Sequence, residues 1–350
     1  MKIVLFCENK YAIGILNPLE LEAQKRNYKV KWYINADKIN NFKYENDVDW
    51  TSSMQEIYDF SPDAIFVPGN IVPYYLPGIK ISIFHGYAAE KRGHFKIRGY
   101  FDLYFTQGPY FTKGFNALHN KKSDFKVVET GWTKQDWIVS HLLDFEDERK
   151  DLLEKHNANK IVLYAPTFSE RFTSLAVMDD ALIKLSKLKD IVLLLKFHPL
   201  TSEKYINKYK TISSEYKNII WIEDPDIAKY QLMSDLMISD TSSTVYEFLL
   251  LDKPVITLNT NNKKPRWINI DKPEELLNAY NIAFNDKKSK KDRKWFIENY
   301  DPYFDGNVCS RMYDYIEIYK KEYGIPSHKS MNIWRRHTCI KTFGKIKTKK

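Results

Sequence analysis

Short apolar runs separated by amphipathic segments recur along the whole chain. Lys2–Phe6, Val30–Ile34, Ala64–Val67, Ile79–Phe84, Leu103–Thr106 and Lys126–Glu129 read as strands. Pro18–Arg26 (PLELEAQKR), Met54–Phe60 and Tyr110–Ala117 carry helical spacing, with Pro18 expected early in its helix, where a missing N–H does no harm. Lys134–Leu143 and the charged, glycine-free Phe145–Asn159 predict connecting helices. The alternation restarts near residue 160. Strands are expected at Ile161–Tyr164, Ile191–Phe197, Asn218–Ile222, Leu236–Ser239 and Val255–Leu258, with helices at Ala181–Leu188, Ile227–Met233 and Thr244–Leu251. Such alternation predicts parallel sheets wound on both faces. The expected architecture is α/β: two doubly wound, Rossmann-like domains with an interdomain cleft, at residues 1–150 and 151–326, followed by a segment at 327–350.

In open parallel sheets, ligands gather at the carboxyl ends of the strands. That rule puts Cys7-Glu8-Asn9, Pro68-Gly69-Asn70 and His85-Gly86 on one rim. His85 is a candidate general base, since neutral imidazole takes a proton near pH 7. A loop hydrogen bond is the plainer reading of it. Lys91, Arg92, Lys96 and Arg98 follow with only Glu90 opposing them, as acceptor-binding cations or a solvated face. In the second half, Pro199 holds His198 extended at a strand end, where it can donate to a phosphate. Asp240, Thr241, Ser242 and Ser243 form a polar turn between a buried strand and a helix, the setting in which backbone N–H groups hold an anion. Glu247 fits a ribose ligand and a Thr-x-x-Glu capping box equally well. Thr167 and Ser169 lie on another rim loop, as phosphate donors or turn residues. Asp224-Pro225-Asp226 spells a metal-binding pair but reads better as a turn and cap, so no metal is expected. Neither a Gly-x-Gly-x-x-Gly nor a Walker loop is present, and no cofactor is expected.

Composition narrows the class. At 350 residues, 43% hydrophobic and 15% aromatic, the chain is long and apolar enough for two cores. No apolar run approaches the ~20 residues that span a bilayer. Cys7, Cys309 and Cys339 are scattered, which argues against a disulfide framework and for a reducing, cytoplasmic setting. The net charge is +9, and the eight Lys and Arg of Ser327–Lys350, with no acid among them, account for nearly all of it. Interleaved with Ile333, Trp334, Ile340, Phe343 and Ile346, this basic tail suits an anionic membrane surface, or else a solvated chain end. Nucleic acid is not an expected partner, because the body offers no basic motif to join the tail.

His85-Gly86, Tyr164-Ala165-Pro166-Thr167, Lys196-Phe197-His198-Pro199 and Ser239–Ser243 with Glu247 and Asp252-Lys253-Pro254 resemble, in order, the CDP-glycerol glycerophosphotransferase family. These are teichoic-acid primases and polymerases of the GT-B fold. Asp301-Pro302, Phe304-Asp305-Gly306 and Ser310-Arg311 are similar to the family's closing motif. The resemblance implies transfer of glycerol phosphate, or a related polyol phosphate, from a CDP-activated donor to a hydroxyl of a lipid-linked or polysaccharide acceptor at the inner membrane face. It implies an acceptor-binding first domain with His85 as base, and a donor-binding second domain in which His198, Ser242 and Ser243 hold phosphates. Arg311 is the further implied phosphate ligand. After His-Gly the chain departs from the family, running Tyr87-Ala88-Ala89-Glu90-Lys91-Arg92. A glycosyltransferase using a CMP- or UDP-sugar, or a nucleotide-sugar 2-epimerase, therefore stays open on the same scaffold.

Overall fold

The computed structural model describes residues 1–42, 46–87, 94–119, 124–188, 190–224 and 226–347. In chain order the elements begin with β1 (Lys2–Cys7), α1 (Tyr11–Lys25), β2 (Lys29–Ile34), β3 (Trp50–Thr51), α2 (Met54–Phe60), β4 (Ala64–Val67) and β5 (Ile79–Ser82). There follow β6 (Leu103–Thr106), α3 (Pro109–Asn116), β7 (Lys126–Glu129), α4 (Lys134–Ser140) and α5 (Glu146–His156). The restart gives β8 (Lys160–Tyr164), α6 (Asp179–Ser186), β9 (Ile191–Leu195), α7 (Glu203–Glu215), β10 (Ile219–Trp221) and α8 (Ile227–Met233). Next come β11 (Leu236–Ser239), α9 (Thr244–Leu249), β12 (Val255–Leu258), β13 (Ile268–Ile270) and α10 (Leu276–Ala283). The chain ends with α11 (Lys287–Tyr300), α12 (Val308–Tyr323) and α13 (Ile333–Phe343).

The chain folds into two compact units, 1–140 with 300–350, and 141–299. In the first, seven parallel strands run in the order β3-β2-β1-β4-β5-β6-β7. The central strand β1 pairs with β2 (Ile3↔Val30) and β4 (Ile3↔Ala64), and its residues Ile3–Cys7 are buried on both faces. That double burial is why the strand reads as a continuous apolar run and not as an alternation. The second unit holds six parallel strands in the order β10-β9-β8-β11-β12-β13. Its core is built on Val162, Leu193, Leu195, Ile238 and Ile256, flanked by Leu182, Leu185 and Tyr209 from the helices. Each sheet is a doubly wound Rossmann-like unit, as expected for the GT-B class.

Three expectations need correction. Helix α1 starts at Tyr11, and Pro18 lies in its interior, because the buried stripe of Ala12, Ile15, Leu16, Leu19 and Ala23 begins upstream of the proline. The lost hydrogen bond to residue 14 is the local penalty. Residues 300–326 do not belong with the second unit. The Asp301 carboxylate accepts from the Tyr87 hydroxyl (2.6 Å) and the Trp132 amide (2.9 Å), and the Asp136 carboxylate accepts from the amides of Val308 and Cys309. Nor is 327–350 a tail, as far as residue 347. Lys329 is buried and ion-paired with Asp102 and Asp124, both at 3.0 Å, while Met331 and Cys339 enter the first core. Phe343 packs edge-on against Phe6 at 5.6 Å. Thus α12 and α13 return to finish the first unit.

Candidate active site

In each sheet the strand order reverses once, between β1 and β4 in the first and between β8 and β11 in the second. Such reversals open a crevice at the carboxyl ends, and the candidate residues fall there.

In the first unit the backbone kinks directly after β5. Phe84 takes φ 59°, a region a bulky side chain rarely adopts, and Gly86 takes φ 151°. This reversal swings His85 out of line with the strand. Its Nδ1 lies 3.1 Å from the carbonyl oxygen of Pro68 on the neighbouring strand end. A carbonyl only accepts, so Nδ1 carries the hydrogen and Nε2 the lone pair. The Gln107 side-chain amide donates to the Gly86 carbonyl (2.8 Å) and fixes the far side of the turn. His94 packs among Phe84, Phe95 and Phe111. Burial first, then the nearby His85 and Arg98, pushes its pKa down to about 4, so it stays neutral beside His85. Sequence spacing did not single out His94, since nothing local marks an aromatic nest. Arg98 is half-buried and donates to the Lys96 carbonyl. Lys91 and Arg92 lie outside the described residues.

In the second unit His198 is exposed just past β9, with its ring stacked on Phe168 at 4.3 Å. The Leu200 amide donates to its Nδ1 (3.1 Å). An acceptor Nδ1 puts the hydrogen of the neutral ring on Nε2. The two histidines are therefore held in opposite tautomers. His85 presents a lone pair and His198 an N–H. The Phe168 cover, with Lys196 behind, keeps the His198 pKa below the ordinary imidazole value, which favours this neutral donor.

Asp240 is not a ligand-facing residue. Its carboxylate is buried and accepts from the Thr167 amide (2.8 Å), the Ser174 amide (2.8 Å) and the Ser174 hydroxyl (2.9 Å). It joins the turn after β11 to the loop after β8, aided by the Ser239 hydroxyl donating to the Ala165 carbonyl. Burial dominates its titration and raises its pKa to about 6. Thr167 is placed by this tie through its amide. The Thr241 hydroxyl accepts from the Asn261 amide, and the Ser242 hydroxyl pairs with that of Thr244 (2.9 Å). Ser243 is the cap residue of α9 but makes no side-chain cap bond, and Thr244 is already helical. The capping-box reading of Glu247 is thus out of register, because it needs Thr244 as cap. Phe168 and Ser174 were missed in the sequence, where they look like ordinary loop residues.

Arg311 lies in the first unit. Its Nε donates to the Thr130 carbonyl, its Nη1 pairs with Asp305 (2.7 Å), and its guanidinium covers the Tyr303 ring. These contacts engage Nε and Nη1 within the first unit, while Nη2 has no hydrogen-bond partner among the described residues. Asp226 caps α8 by accepting from the Ala228 amide, and Asp224 accepts from the Asp226 amide, so this pair is turn and cap. No metal-ligand cluster of three His, Cys, Asp or Glu exists among the described residues.

Two doubly wound units, each a parallel sheet with a histidine at a strand end, have the architecture of the GT-B class. Residues 82–267, more than half of the chain, match the model of the CDP-glycerol:poly(glycerophosphate) glycerophosphotransferase family. The chain belongs to this family and is an enzyme of the CDP-glycerol glycerophosphotransferase type. It is similar to the teichoic acid poly(glycerol phosphate) polymerase of Bacillus spizizenii, 23% identical over 69% of this chain and 68% of that protein. It also resembles the teichoic acid glycerol-phosphate primase of Bacillus subtilis, 27% identical over 62% of this chain and 59% of the primase. The solved wall teichoic acid polymerase TagF superposes with TM-score 0.64 over 91% of this chain and 89% of that one. At 17% identity this likeness speaks for the fold.

Proposed function

We propose that the chain transfers a polyol phosphate, glycerol phosphate foremost, from a CDP-linked donor to a hydroxyl on a membrane-linked or polysaccharide acceptor, in surface-polymer synthesis. The opposite tautomers of His85 and His198 carry this reading. His85 Nε2 takes the proton of the attacking hydroxyl. The hydroxyl oxygen bonds to the polyol-bearing phosphorus, and the bond from that phosphorus to CMP breaks, its electron pair leaving on CMP. His198 Nε2–H donates to a phosphate oxygen as charge develops there. The first unit binds the acceptor in this scheme, with Arg98 as one contact and Lys91 and Arg92 as others. The second holds the donor through His198, Ser242, Ser243, Thr241 and Glu247. Support for the donor comes from the family match and from a TagF variant soaked with CDPG.

We also place the enzyme at the cytoplasmic face of the membrane. Ile333 and Trp334 open α13 at 80% and 82% exposure, followed by Arg335, Arg336 and Lys341. Among the described residues no helix is long and apolar enough to cross a membrane. A surface contact by α13 is the mode these residues favour.

Incubation with CDP-glycerol, CDP-ribitol, CMP-sugars and UDP-sugars tests the reaction class. CMP release with a CDP-polyol is expected, and UDP release alone would refute it. His85→Ala should lower kcat by roughly two to four orders of magnitude with donor affinity retained. Lost donor binding instead would put His85 in the wrong role.

A further inference from the structure

The first rim holds a buried carboxylate that the reaction above leaves unused. Glu8 directly follows β1, where the strand order reverses, and is only 9% exposed. It has neither an ion pair nor a hydrogen-bond partner among the described residues. Burying an acid without a partner is unfavourable, so such a group marks a place where something else binds. Burial raises its pKa to about 7, with Lys38 opposing weakly.

Its neighbours are those of His85. A Cβ on Gly69 would fall on the Glu8 carboxylate oxygen, so the absence of a side chain there leaves the acid its space. Gly69 adjoins Pro68, whose carbonyl holds His85 Nδ1. Tyr11, the first residue of α1, is 50% exposed and lies 5.6 Å from His85 ring to ring, and its pKa is raised first by partial burial of the phenol and then by the nearby Glu8 charge. Carboxylate, phenol and imidazole thus surround the β1/β4/β5 strand ends.

We propose that Glu8, assisted by Tyr11, binds the acceptor through a hydroxyl adjacent to the one His85 deprotonates, so that the site selects acceptors ending in a vicinal diol. A carboxylate accepts from a neighbouring hydroxyl, which turns the attacking hydroxyl toward Nε2 of His85. The proposal rests on the reading of His85 as base, and its test separates the two.

Initial rates are measured with a short glycerol-phosphate oligomer ending in a diol and with its analogue lacking the second hydroxyl. The wild-type enzyme is expected to show an acceptor KM about tenfold or more higher for the deoxy analogue, the loss of one hydrogen bond to a charged group. Glu8→Gln should raise the diol KM to near the deoxy value while CDP-glycerol affinity by calorimetry stays unchanged. Tyr11→Phe should give the same change, smaller. Equal discrimination in wild type and Glu8→Gln would overturn the proposal, as would a lowered melting temperature, which would make Glu8 structural. If no CDP-polyol is turned over, the parent reading has failed. Calorimetric binding of the two oligomers to wild type and Glu8→Gln then decides Glu8 alone, and an unchanged preference for the diol overturns it.

Discussion

Asp240 allows a test in which two effects of opposite sign compete. Three donors point at its carboxylate, which favours the charged form, while nearly complete burial disfavours it. Burial wins, moving the pKa from 3.8 to about 6. The folded protein therefore holds this proton more tightly than the unfolded chain. The stability it contributes is fully present below pH 3.8 and is lost as pH rises through about 6. The whole shift corresponds to about 3 kcal/mol, and the part falling between pH ~4.5 and ~7.5 to about 2 kcal/mol.

Asp240→Asn keeps the shape and removes the titration. It also turns one NH2 toward donors, a penalty that does not vary with pH. The melting temperature of the variant relative to wild type should therefore climb by about 4–8 °C between those two pH values, for a unit of this size. Glu8 and Asp301, both also raised to about 7, cancel in the difference because both proteins carry them. Differential scanning calorimetry following the second unit gives the answer. A difference that stays level with pH, or falls, would mean the three donors outweigh burial. Asp240→Ala at low pH is the control for the loop tie. It orphans the Thr167 and Ser174 amides and is expected to destabilise by about 3 kcal/mol.

Two further outcomes bear on the C-terminal segment. Lys329→Met leaves Asp102 buried without its partner and should destabilise the first unit by about 3 kcal/mol, the low end for a broken buried pair because Lys80 remains near that acid. Tryptic cleavage at Arg335 and Arg336 should accelerate accordingly, and unchanged cleavage would refute the clasp. Replacing both Ile333 and Trp334 by Ser should weaken sedimentation with vesicles containing anionic lipid about tenfold, with activity on a soluble acceptor unaltered. Equal binding by wild type to neutral vesicles would remove charge from the explanation.

The strands were legible because a parallel strand buried on both faces is an uninterrupted apolar run. β4, β6, β11 and β12, all buried along their whole length, fall on the residues their runs predict. Helix α7 was not, since only Tyr209 among its thirteen residues is buried and so thin a stripe leaves no period to read. The return of the chain at residue 300 was hidden for a different reason. Nothing local distinguishes a helix that packs on the preceding sheet from one that packs on an earlier sheet. The deciding contacts, such as Tyr313 donating to the Leu19 carbonyl and Arg26 pairing with Asp314, join residues nearly three hundred positions apart. The basic tail misled through composition. A Lys-rich, acid-free stretch reads as solvated, yet Lys329 finds its acids, Asp102 and Asp124, in the body.

The same distinction governs the site. Strand-end position identified His85 and His198, because topology alone sets which residues reach a rim. Their roles needed one partner each, the Pro68 carbonyl and the Leu200 amide, which no spacing encodes. Asp240 was read as a ligand because it opens a polar turn. The amides that consume its oxygens come from residues 167 and 174, on a loop some seventy residues earlier. A polar residue at a rim thus carries two meanings, and the donors facing it choose between them. Where protein amides saturate a carboxylate, as at Asp240, it fastens loops. Where none do, as at Glu8, the acid is left for a ligand.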